Sequence, residues 1–111
     1  MAKGVDLWAG EEVLELKASG RDDIKLIAAV PYKNTADRWP SAWRYLYRKI
    51  ISGADEVHYT SEKYYSFVYK ARDQWMVNNS SRVLACYEGI PGGTEYTINY
   101  ALSLGKEVVY I

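Results

Sequence analysis

Between Val83 and Thr97 the chain reads VLACYEGIPGGTEYT. An apolar run rich in strand formers ends at Glu88 and Gly89. A Pro91-Gly92-Gly93-Thr94 turn then opens a helix-like segment through Leu104. Strand, glycine turn and helix start together aim backbone N–H groups and the positive end of a helix at an anion, usually a phosphate. The same residues admit a plainer reading. Glycine supplies backbone angles that short connections need, and Thr94 caps the helix with or without a ligand.

The remaining reactive residue types are sparse. His58 is the only histidine and falls within a strand, on the parity of Glu56 and Thr60, so no His-based metal cluster is expected. Cys86 is the only cysteine, which excludes an intrachain disulfide and a cysteine-built metal site; its place in VLACYE reads as a small buried hydrophobe. There is no Ser-His-Asp pattern, no Walker loop and no GxGxxG. No metal and no cofactor are expected. Trp39 stands before Pro40 in a polar loop, where an indole can stack on a purine for about 1–3 kcal/mol per base.

Composition bounds what these residues can serve. The 111 residues, 49% hydrophobic and 25% charged, describe one soluble globular domain with a modest core. Fourteen basic and fourteen acidic side chains cancel, which argues against extended contact with a nucleic-acid backbone. No apolar run reaches membrane-spanning length and no signal-peptide pattern opens the chain, so a cytoplasmic protein is expected. Eleven tyrosines and four tryptophans are unusual, and at helical spacing they read first as core.

The elements that must position the glycine turn alternate. A helix is expected over Asp6–Ser19, with Val5, Ala9, Val13 and Leu16 on one face, Asp6 as cap and Gly20 as stop. Ile24–Val30 reads as a strand covered on both faces and ended by Pro31. Pro40 opens a helix whose buried stripe is Trp43, Leu46, Tyr47, Ile50 and Ile51, closed by Gly53. A strand over Glu56–Thr60, a helix over Glu62–Asn78, the VLACYE strand, a helix over Thr94–Leu104 stopped by Gly105 and a last strand VVYI complete the chain. Strands alternating with helices imply an α/β domain with a mostly parallel sheet of about four strands. Ligands then gather at the carboxyl ends of the strands: Tyr32 and Asn34, Thr60 and Ser61, Glu88 and Gly89, and Gly92 to Thr94.

Gly4-Val5-Asp6 after Met1-Ala2-Lys3, Trp8, the LIAAVPY strand end, Trp39 and the run YKARDQWMVNNSSRVLACYEGIPGGTEYTINYALSLGKEVVYI resemble the YpsA-like branch of the SLOG superfamily. That group includes the DNA-processing protein DprA (Smf) and the LOG-type nucleotide hydrolases. The resemblance covers essentially the whole chain and implies a Rossmann-like three-layer sandwich that binds a nucleotide or a nucleotide-derived ligand. It brings Gly4 and Asp6 into the expected site, although Asp6 can equally serve as a helix cap. Family members begin with a further β-α-β unit, so the resemblance also implies an N-terminally truncated domain. LOG hydrolases carry Pro-Gly-Gly-x-Gly-Thr-x-x-Glu, whose Glu works with a preceding helical Arg. Arg72 matches that Arg; Glu95 follows Thr94 directly and lies too early.

Three functions follow as expectations. The first is a binding module for an ADP-ribose-like molecule or a nucleoside phosphate. Its phosphate would rest on Gly92, Gly93 and Thr94, with Glu88 and Gly89 at the ribose, Arg72 offsetting charge and Tyr32 or Trp39 stacking on the base. Arg72 can instead be a solvated helix residue. The second is a nucleoside monophosphate N-glycosidase using Glu88 or Glu95 with Arg72. The third is a protein-interaction fragment without a ligand site. The missing unit would leave a strand edge and residues such as Leu7 and Trp8 in water, so a homodimer is expected.

Overall fold

The computed structural model describes residues 3–111; Met1 and Ala2, where the resemblance to the family's N-terminal turn starts, lie outside the described residues. The element order is α1 (Val5–Ala18), β1 (Ile27–Tyr32), α2 (Ser41–Gly53), β2 (Glu56–Ser61), α3 (Val68–Asn78), β3 (Arg82–Ala85), α4 (Gly93–Ser103) and β4 (Glu107–Tyr110). This is the expected α/β alternation, and every strand pairing is parallel. The strands pair as two two-stranded sheets, β1 with β2 and β3 with β4, where the sequence suggests one sheet of about four. Alternation dictates parallel crossovers; it does not say which strands become neighbours.

The contacts divide the chain into one compact unit up to Tyr64 and another from Tyr65. In the first, β1 and β2 run in register from Ile27 opposite Glu56 to Tyr32 opposite Ser61. Ala28, Ala29, Val30 and Pro31 are buried, the double coverage expected of this segment. Pro31 does not end the strand: Tyr32 still pairs with Ser61, and the missing N–H of proline is skipped in the ladder.

Helices α1 and α2 pack through small residues. A Cβ at Gly10 would stand 3.0 Å from Ile50 Cδ1, and one at Gly53 only 2.7 Å from Leu14 Cδ2. Gly53 is therefore required by close approach and not as a left-handed stop. Gly20 and Gly105, with φ +109° and +71°, are such stops, as expected. The buried face of α1 is Leu7 and Gly10, whereas Val5 and Leu16 are exposed. Leu7 is fully buried, contrary to the expectation that it faces water; Trp8 is 55% exposed, as expected, and its ring lies 5.7 Å from that of Trp43.

In the second unit β3 pairs with β4 from Arg82 opposite Glu107 to Ala85 opposite Tyr110, and α4 packs on α3 and on both strands. Val68 and Val77 of α3, Ala85 of β3 and Ile98 and Ala101 of α4 supply its buried apolar side chains. Helix α3 starts at Val68, six residues later than expected. The Ser61 hydroxyl donates to the Lys63 carbonyl at 2.8 Å and accepts from the Lys63 N–H, a local turn that competes with helix. Strand β3 stops at Ala85, so Cys86 is an exposed free thiol and not the buried hydrophobe expected. Among the described residues no helix is long and apolar enough to cross a membrane.

Candidate functional site

The expected glycine turn forms where β3 gives way to α4. From Cys86 the chain is a loop through Glu88, Gly89 and Pro91 to Gly92, which takes the cap position of α4. Gly89 has φ +83°, a left-handed angle that disfavours any side chain. Around Gly89, Gly92 and Gly93 a Cβ would meet nothing within 4 Å, so open space adjoins this backbone. No side chain caps α4. Thr94 lies one residue inside the helix and does not cap it, a correction to the plainer reading of the turn. The first N–H groups of an α-helix have no partner within the helix. Among the described residues no side chain takes their place, and open space adjoins the turn at the positive end of the helix.

Glu95 sits in the first turn of α4, one of two acidic groups bracketing the loop. Its Oε2 accepts a hydrogen bond from the Tyr87 hydroxyl at 3.0 Å. That bond, followed by partial burial, pushes the Tyr87 phenol above its ordinary range. Tyr87 escaped sequence reasoning; the only signal available was its position just before Glu88. The second carboxylate, Glu88, is exposed on the loop.

Arg72 is not a solvated residue. Its side chain is 7% exposed, and Nε donates to Asp73 Oδ1 at 2.7 Å. Its Nη1 is buried and, among the described residues, has no hydrogen-bond partner. A guanidinium presents a planar fork of donors, and here one of them is left without an acceptor. Arg72 is carried by α3, which is joined to α4 by polar and aromatic contacts. Gln74 Nε2 donates to the Tyr96 hydroxyl at 2.8 Å, and the Tyr100 hydroxyl donates to Asn78 Oδ1 at 2.8 Å. Lys70 Nζ lies 5.1 Å from the centre of the Tyr96 ring, which stacks on Tyr100.

The other expected residues belong to the first unit. Gly4, with φ +92°, occupies the cap position of α1, and Asp6 lies in the first turn rather than at the cap. Tyr32 closes β1, with its ring 5.8 Å from Tyr64 in an edge-on arrangement. Trp39 is half-buried, its ring 5.6 Å from Tyr47 and 5.9 Å from Lys3 Nζ. Both rings are already engaged by aromatic neighbours. The structure thus gathers Glu88, Gly89, Gly92, Gly93, Thr94, Glu95 and Arg72 in one unit, and Gly4, Asp6, Tyr32 and Trp39 in the other.

The site is thus a glycine turn at the carboxyl end of a strand, opening a helix in a parallel α/β arrangement. The family model described as the YspA SLOG family matches residues 1–110. The chain belongs to the YpsA family of SLOG proteins. Among curated relatives, UPF0398 proteins of Bacillus cereus strains B4264 and G9842 are 31% identical over 106 residues, covering 93% of this chain and 57% of theirs. The UPF0398 protein of Bacillus thuringiensis strain Al Hakam matches to the same extent. The chain therefore spans little more than half the length of the curated relatives it matches.

Proposed function

We propose that this protein binds a nucleotide or nucleotide-derived molecule, ADP-ribose-like or a nucleoside phosphate, with a phosphate at the Gly92-Gly93-Thr94 turn. The observation that carries this reading is the start of α4, which lacks a side-chain cap and opens onto free space at Gly92 and Gly93. The buried Nη1 of Arg72, without a partner, supports it as a second source of positive charge. Glu88, exposed on the same loop, is the residue we assign to ribose hydroxyls. Membership of the SLOG group, for which the resemblance implies a nucleotide-binding fold, supports the ligand class.

The test is a panel of AMP, ADP, ADP-ribose and adenosine titrated by calorimetry and by melting shift. A ligand present at 100 times its Kd adds about 2.7 kcal/mol to stability. Phosphorylated members are expected to bind and adenosine to bind more weakly. If no phosphorylated member binds at millimolar concentration, the reading is wrong. The same AMP sample is assayed for free adenine, whose appearance replaces the binding module by the N-glycosidase. Pairing with a second copy is part of the proposal, supported by the exposed rings of Trp8 and Tyr45 on α1 and α2. Light scattering that returns only the 12.7 kDa monomer would remove it.

A further inference from the structure

We draw no further inference here: the strongest candidate, the exposed apolar surface of the β3–β4 pair at Leu84 and Ile111, is an unpartnered sheet face, and nothing in the structure shows what covers it.

Discussion

The Tyr87 hydroxyl donates to the Glu95 carboxylate at 3.0 Å, tying the residue before Glu88 to the first turn of α4 across the whole glycine loop. This contact has two consequences. It holds both ends of the loop whose backbone N–H groups are the candidate anion site. It also stations a carboxylate at the helix end where a phosphate would sit, so part of the field of α4 is already used.

Glu95→Gln removes that charge and keeps a hydrogen-bond acceptor for Tyr87. A helix-terminal charge is worth roughly 0.3–1 kcal/mol, so AMP affinity should rise about two- to fivefold. Calorimetric Kd values at one ionic strength check this. Abolished binding would mean that Glu95 touches the ligand, as the hydrolase reading requires.

Arg72 gives a complementary outcome. Arg72→Lys preserves charge next to Asp73 but loses the fork whose Nη1 lacks a partner. AMP should bind about tenfold more weakly, on the scale of a lost charge-assisted hydrogen bond, while adenosine is unchanged. If both ligands weaken equally, Arg72 supports the fold and not the phosphate.

The Asp55 carboxylate joins two segments of the first unit: it accepts from Lys17 Nζ on α1 and, at 2.7 Å, from the Leu26 N–H before β1. The Lys17 bond first, then the Leu26 N–H, hold Asp55 below the usual carboxylate range. A depressed folded value means that the stabilisation is complete above the unfolded pKa of about 3.9 and fades as pH falls through the folded value. Asp55→Asn should therefore lower Tm at pH 7, and the gap to wild type should close below about pH 3.9. A gap that stays constant with pH would show that packing, not charge, is lost.

Much of this architecture is legible in the residues themselves. Gly20 and Gly105 stop helices because only glycine accepts their positive φ cheaply, and the unbroken apolar character of Ala28 to Val30 announces a strand covered on both faces. The glycine turn is equally plain. What is illegible depends on partners distant in the chain. Pairing of β1 with β2 and of β3 with β4 is a tertiary choice that alternation leaves open. Cys86 looks buried in VLACYE, yet the ladder with β4 ends at Ala85 and leaves it in water. The site shows the same limit. Gly92 and Gly93 announce themselves, whereas the Tyr87–Glu95 bond and the orphaned Nη1 of Arg72 exist only once the chain has turned back on itself.

The contact of Gly10 with Ile50 offers the sharpest test of packing. Ile50 is fully buried, and a Cβ at position 10 would stand 3.0 Å from its Cδ1 and 3.4 Å from its Cγ1 and Cγ2. Ile50→Ala alone should cost about 2–5 kcal/mol through lost burial and the cavity it leaves. Gly10→Ala gains about 1 kcal/mol of helix propensity, which crowding against Ile50 offsets. In the double variant the crowding is gone and the new methyl enters the vacated space. The pair should thus be more stable than the sum of the single changes predicts, by a coupling on the order of 0.5–3 kcal/mol. Urea unfolding of the four proteins measures it. Additivity to within about 0.5 kcal/mol would mean that Gly10 and Ile50 are not packed against each other in solution.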